Sequence, residues 1–87
     1  MSWTVKISKQ AQTDLDHFRA YDGATYRNCY KLSKAVGKDP FSGPGKPLKI
    51  EGVGGSVWCR RTSISDRMVY ELFEDSVIVA SYRTHIE

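Results

Sequence analysis

Cysteine and proline are scarce in this 87-residue chain: Cys29 and Cys59 are its two cysteines, and its three prolines all fall between residues 40 and 47. Isolated cysteines without a CxxC pair exclude a disulfide framework and a zinc knuckle. His17, His85, Cys29 and Cys59 have no ligand spacing, so no metal and no cofactor is expected. No run approaches the ~18 apolar residues of a membrane span. Met1-Ser2-Trp3-Thr4-Val5-Lys6 lacks the apolar stretch of a secretory signal, so a cytoplasmic protein without a membrane partner is expected. Gly45-Lys46 is followed by Pro47 instead of Ser or Thr, which excludes a phosphate-binding P-loop. Internal repeats and low-complexity tracts are also missing.

What the chain does hold is 40% hydrophobic and 26% charged residues with a net charge of +3, enough for one small core and one domain over 1–87. The charge is unevenly spread. Residues 1–38 carry seven Lys/Arg against three Asp, and residues 39–87 carry six against seven Asp/Glu. In the second half Lys46, Lys49, Arg60, Arg61, Arg67 and Arg83 precede or interleave with Glu71, Glu74 and Asp75, so folding can part a basic cleft from an acidic rim.

Trp3 to Ile7 alternates apolar and polar side chains, the period of a half-buried strand. Ser8 can cap a helix in which Ala11, Leu15 and Phe18 recur at helical spacing, leaving Gln12, Asp14, Asp16 and Arg19 for solvent. Asp22-Gly23 breaks it near Tyr21. A second helix turns Tyr26, Cys29, Tyr30, Leu32, Ala35 and Val36 to one side and stops at Gly37 and Pro40. So short a break implies an antiparallel helical hairpin. Trp3, Phe18, Tyr26 and Tyr30 are expected mainly in the core. Residues 39–47 form a proline-glycine loop, 48–51 a short strand, and Val57–Ile64, Arg67–Phe73 and Val77–Thr84 an antiparallel β-meander. The expected fold class is α+β: an N-terminal strand, two antiparallel helices, then the meander with the helices on one face.

Alternation along Val57–Ile64 turns Trp58, Arg60, Thr62 and Ile64 one way and Cys59, Arg61 and Ser63 the other, so each face receives one arginine. Three neighbouring strands can bring Arg60 or Arg61, Arg67, Arg83 and His85 onto one surface. Trp58 is open between a core position, an RNA-stacking platform and a partner contact. His17, between Asp16 and Phe18, is a boundary residue.

The chain resembles the Txe/YoeB toxins of the RelE/ParE superfamily, ribosome-dependent mRNA endoribonucleases of bacterial toxin–antitoxin modules. The resemblance rests on Asp39-Pro40-Phe41, Gly43-Pro44-Gly45-Lys46-Pro47-Leu48-Lys49, Trp58-Cys59-Arg60-Arg61, Asp66-Arg67-Met68-Val69-Tyr70 and Thr84-His85. It implies a RelE-like, microbial-RNase-like fold and metal-independent cleavage, in which the RNA 2′-hydroxyl attacks the adjacent phosphorus. It also implies partners: a YefM-like antitoxin, and the 70S ribosome with mRNA in its A site, operator DNA being reached only through the antitoxin. By residue correspondence His85 is the general acid, a role histidine suits as the side chain that exchanges protons near neutral pH, and Arg67 the transition-state clamp. Lys46, Lys49, Arg60, Arg61, Trp58 and Arg83 form the substrate-binding set.

Two departures stand out. Where the family carries a glutamate two residues before the leucine of its proline-leucine-lysine stretch, this chain has Lys46, so the general base stays open between Glu51, Lys46 and Lys49. The family tyrosine after the histidine is Ile86. Two rival functions follow: a catalytically weakened binding module acting through antitoxin or ribosome, and a gyrase-directed ParE-like toxin.

Overall fold

A computed structural model describes residues 3–52 and 54–85; Val53 of the glycine turn and Ile86 lie outside the described residues. The elements run β1 (Thr4–Ile7), α1 (Lys9–Tyr21), α2 (Gly23–Lys38), β2 (Leu48–Lys49), β3 (Ser56–Arg61), β4 (Arg67–Phe73) and β5 (Ser76–Thr84). This is the expected α+β order, with helix and strand bounds within a few residues of those read from periodicity. Among the described residues no helix is long and apolar enough to cross a membrane.

The five strands form one sheet in the order β1-β5-β4-β3-β2. From β2 to β5 the chain meanders antiparallel, while β1 pairs parallel with β5, Val5 opposite Val77 and Ile7 opposite Val79. The sheet is therefore mixed, because the helical hairpin carries the chain from one sheet edge to the other. Ala11 and Phe18 of α1 and Cys29, Leu32 and Val36 of α2 pack on Met68, Tyr70, Val77, Val79 and Tyr82, so both helices cover one face and leave the other open. Burial pushes the Cys29 thiol up to about 12, which makes it an inert core group.

Local chemistry explains the helix ends. The Ser8 hydroxyl accepts from Ala11 N at 3.1 Å and donates to Ala80 O at 2.8 Å, so one side chain caps α1 and ties it to β5. Asp22 serves both helices. Its N–H donates to Phe18 O, closing α1, and its carboxylate accepts from Thr25 N at 3.1 Å and the Thr25 hydroxyl at 2.6 Å, opening α2. Those bonds, the Thr25 hydroxyl first, hold the Asp22 carboxyl below its usual value of 3.8.

Two expectations are corrected. Asp14 is buried at 5% exposure, not solvent-facing. The β4–β5 register slips on both sides of the Val69–Ser81 pair, and in the stretch between that pair and Arg67–Thr84 the Tyr82 N–H donates to Asp14 Oδ2 at 3.0 Å. A buried carboxylate thus satisfies a donor at a β-bulge, a feature that side-chain alternation does not signal. Tyr30, assigned to the core with Tyr26, is 59% exposed, with the Lys34 ammonium 5.1 Å from its ring centre.

Asp22→Ala is expected to lower the melting temperature by several degrees at neutral pH. Because folding depresses this carboxyl, its contribution is full above the unfolded value of 3.8 and is lost as the pH falls through the lower folded value. Thermal melts of both proteins against pH should converge in acid; a gap that persists there would contradict the cap.

Candidate active site

The open face is polarised along the strands. Arg61 on β3 pairs directly with Arg67 on β4, and Arg67 pairs with Thr84 on β5. His85 follows Thr84 at once. On the other side of β3, Arg61 N donates to Gly45 O at 2.7 Å, so exposed Lys46, the next residue, stands at the level of Arg61. A row of Lys46, Arg61, Arg67 and Thr84-His85 crosses one end of the sheet, neighbouring strands being ~4.8 Å apart. The next row holds Leu48, Cys59, Val69 and Ser81, and the one beyond it Val57, Glu71 and Ile78. Glu74 and Asp75 turn between β4 and β5 at the far end from Arg67. The basic cleft and acidic rim thus lie at opposite ends of β4.

Like charges directly opposite on adjacent strands repel. A register that sets two arginines opposite each other suits an anion, since a phosphate between their guanidiniums would convert repulsion into two charge-assisted contacts. Arg67 is half-buried and lies over β3, its Nη1 3.9 Å from Cys59 Sγ, whereas Arg61 is exposed. The turn joining β3 and β4 is fastened on three sides. Asp66 O accepts from Thr62 N and Ser63 N, Asn28 of α2 donates to Thr62 O at 2.7 Å, and the Thr62 hydroxyl donates to Tyr82 O. At the β5 end the Ser81 and Thr84 hydroxyls share a hydrogen bond.

Arg60 has a different task from the one the sequence suggested. It is fully buried at 0% exposure, and its guanidinium donates to Asp39 O at 2.6 Å, Ser42 O at 3.0 Å, Pro44 O at 3.2 Å and the Tyr70 hydroxyl at 3.1 Å. Tyr70 in turn donates to Pro40 O at 2.6 Å, and burial raises its phenol pKa, favouring the protonated donor. Arg60 and Tyr70 therefore bind the backbone of the 39–45 loop, and Arg60 has no donor facing the open side. Within that loop Asp39 accepts from the Ser42 hydroxyl and Phe41 N, which lowers its pKa, the nearby Arg60 charge adding to the effect. At Gly45 φ is +86°, and an added Cβ would stand 2.9 Å from Leu32 Cδ2 and 3.1 Å from Arg60 Cβ, so the turn admits only glycine. The loop's place, and with it that of Lys46, is set by β3.

Other expected site residues separate from the row. Trp58 pairs with Tyr70 and Lys49, which puts all three on the helix side of the sheet. There Trp58 packs edge-on against Phe41, ring centres 5.4 Å apart, and Phe41 against Trp3 at 6.1 Å. Trp58 is thus a packing residue, not a platform on the open face. Glu51 is exposed in the turn after Ile50, whose N–H donates to Val57 O. Four strand positions, about 13 Å, part Val57 from Arg61, so Glu51 sits at the wrong end of the sheet for a base beside Arg67. Arg83 is exposed next to Thr84, in the irregular end of β5. Among the described residues no three His, Cys, Asp or Glu side chains gather as a metal site.

Comparison with known proteins agrees with this architecture. Residues 7–86 match the family model described as the YoeB-like toxin of bacterial type II toxin-antitoxin system. The "Toxin YoeB" of Mycobacterium bovis is 33% identical over 82 residues, covering 94% of this chain and 96% of that one. The YoeB dimer from Staphylococcus aureus superposes with a TM-score of 0.85 at 25% identity, over 99% of this chain and 100% of that one. A heterotetrameric YoeB-YefM toxin-antitoxin complex from the same organism gives 0.80 at 25% identity, over 99% and 100%.

The two adjacent arginines should respond oppositely to truncation. Arg60→Ala removes a buried anchor and orphans several loop carbonyls, for an expected loss of about 3–5 kcal/mol. Arg61→Ala should leave stability within about 0.5 kcal/mol of the parent, or raise it by relieving repulsion with Arg67. Urea unfolding of both variants checks this, and equal losses would contradict the division of labour.

Proposed function

The chain belongs to the YoeB-like toxins of bacterial type II toxin–antitoxin systems, and on that premise we propose that it is a ribosome-dependent mRNA endoribonuclease neutralised by a YefM-like antitoxin. The observation that carries the reading is the Arg61–Arg67 pair on the open face, with His85 one residue beyond the partner of Arg67. A phosphodiester is the anion such a row suits, and an mRNA strand in the 70S A site supplies one in single-stranded form.

Cleavage through the 2′-hydroxyl needs no nucleophile from the protein and no metal. The 2′-oxygen forms a bond to phosphorus as the bond to the 5′-oxygen breaks, leaving a cyclic 2′,3′-phosphate and a free 5′-hydroxyl. Arg67 and Arg61 stabilise the charge that grows on the non-bridging oxygens. The His85 imidazolium gives its proton to the departing 5′-oxygen. Of the three candidate bases, Lys46 is the one at the level of Arg61, so it takes the 2′-hydroxyl proton. An amine does this through its nitrogen lone pair. Lys49, on the helix side of the edge strand, and Arg83 are left to steer the RNA backbone. The mRNA and ribosome place the work in the cytoplasm, and contact with operator DNA falls to the antitoxin.

The test is single-turnover cleavage of mRNA on programmed 70S ribosomes. The parent protein should cut in the A site and leave a cyclic phosphate. Arg67→Ala and His85→Gln should each slow the cut by at least about 100-fold, Lys46→Ala by a comparable factor, and Glu51→Ala not at all. Arrest of translation by the parent and all variants alike, with intact mRNA, would leave a binding module in place of an enzyme. A DNA-damage response without new mRNA ends would point to a gyrase-directed toxin.

A further inference from the structure

Near the cationic row, β5 takes up two more residues than the strand it faces. From the Tyr70–Val79 pair to the Arg67–Thr84 pair, β4 runs from 70 to 67 and β5 from 79 to 84. One extra residue falls between Val79 and Ser81 and the other between Ser81 and Thr84, so β5 carries two bulges in succession. Had the ladder continued from Tyr70–Val79 without them, Tyr82 would stand opposite Arg67. That register would turn Tyr82, which is fully buried, onto the open face. It would also leave His85 three positions, about 10 Å, past the Arg67 pair instead of one. The bulges thus draw the histidine two positions back toward the arginines.

The α1 end of the molecule holds both bulges from behind the sheet. At the first, the Ser8 cap donates to Ala80 O at 2.8 Å. At the second, Asp14 Oδ2 accepts the Tyr82 N–H at 3.0 Å, while Gln10 Nε2 donates to Asp14 Oδ1 at 2.9 Å. The Thr62 hydroxyl takes Tyr82 O at 3.2 Å. Across the second bulge the Ser81 and Thr84 hydroxyls are bonded to each other. A straight strand would set residues three apart on opposite faces, about 10 Å from each other, so this bond exists only in the bulged form. A buried N–H that leaves its ladder is costly unless something else accepts it. The carboxylate of Asp14, itself 5% exposed, is that acceptor.

We propose that Asp14, acting through the β5 bulges, is a positioning residue for the cleavage reaction, with Ser81 securing the same segment through its bond to Thr84. The inference rests on the reading above that Arg67 and His85 act together on RNA. Asp14 lies on the helix side of the sheet and exchanges no proton with substrate; it fixes the backbone that leads to His85. Arg61 and Arg67 are set by the pairing of β3 with β4, which does not pass through Asp14. Loss of this carboxylate should therefore separate substrate binding from the chemical step. A proton donor misplaced by about 1 Å is enough to cost ~100-fold in rate.

Single-turnover cleavage of ribosome-bound mRNA reads the effect. Asp14→Ala should lower the maximal rate about 100-fold and leave the half-saturating ribosome concentration within about twofold of the parent's. Asp14→Asn keeps a carbonyl oxygen for the Tyr82 N–H and should cut within about threefold of the parental rate. In a His85→Gln background Asp14→Ala should cost nothing further, because the group it positions is gone. Losses that multiply there, or a parental rate in Asp14→Ala alone, overturn the proposal. Should Asp14→Ala fail to fold, Ser81→Ala decides from the open face: a rate about 10-fold lower supports the proposal and a parental rate overturns it. A nuclear Overhauser contact between the Arg67 and Thr84 backbones gives a readout free of catalysis. It should appear in the parent and in Asp14→Asn and vanish in Asp14→Ala, and its persistence in Asp14→Ala overturns the proposal. If the parent cuts no mRNA, the nuclease reading fails, and this contact still decides whether Asp14 holds the register.

Discussion

Arg61 and Arg67 stand opposite each other across two hydrogen-bonded strands, a register in which their charges oppose folding unless an anion lies between them. The surrounding structure serves to keep that register. Asn28 and Thr62 fasten the turn that joins the two strands, and the Gly45 carbonyl holds Arg61 N from the other side. Strand β5 then ends beside Arg67, so the chain delivers His85 to the same corner. Under the proposed function that corner is where a phosphodiester binds, and its charge offsets the repulsion between the two arginines.

Two neighbouring arginines of the same sequence are divided by the pleat. Arg61 keeps its charge at the surface, and Arg60 turns inward, where three carbonyls and the Tyr70 hydroxyl take up its hydrogen bonds. A buried guanidinium without that cradle would cost several kcal/mol. With it, the loop rich in proline and glycine is fixed to the sheet, and Lys46 is presented at the site's edge. The inward arginine is a scaffold for the outward one.

Much of this was legible in the residues. Alternation over 3–7 and helical spacing after Ser8 located β1 and α1, and the β-rich runs Val57–Ile64, Arg67–Phe73 and Val77–Thr84 located the meander. The face assignment already grouped Trp58 with Arg60 and opposed both to Arg61; taking Trp58 as a core residue would have sent Arg60 inward with it. Other features have no local signal. The bulge in β5 that gives Asp14 a buried partner arises from pairing between distant segments. The parallel edge position of β1 depends on where the helical hairpin delivers the chain. Glu51 looked eligible because it is the only carboxylate between Leu48 and Trp58, and only the β2–β3 register shows it leading away from Arg61.

The most direct measurement is a structure of the protein on a 70S ribosome with an mRNA whose scissile 2′-hydroxyl is methylated and so cannot attack. The account predicts the scissile phosphate between the Arg61 and Arg67 guanidiniums, with the His85 imidazole at the 5′-oxygen. A phosphate held elsewhere, whether on the helix face or at the Glu71 end of the sheet, would contradict it.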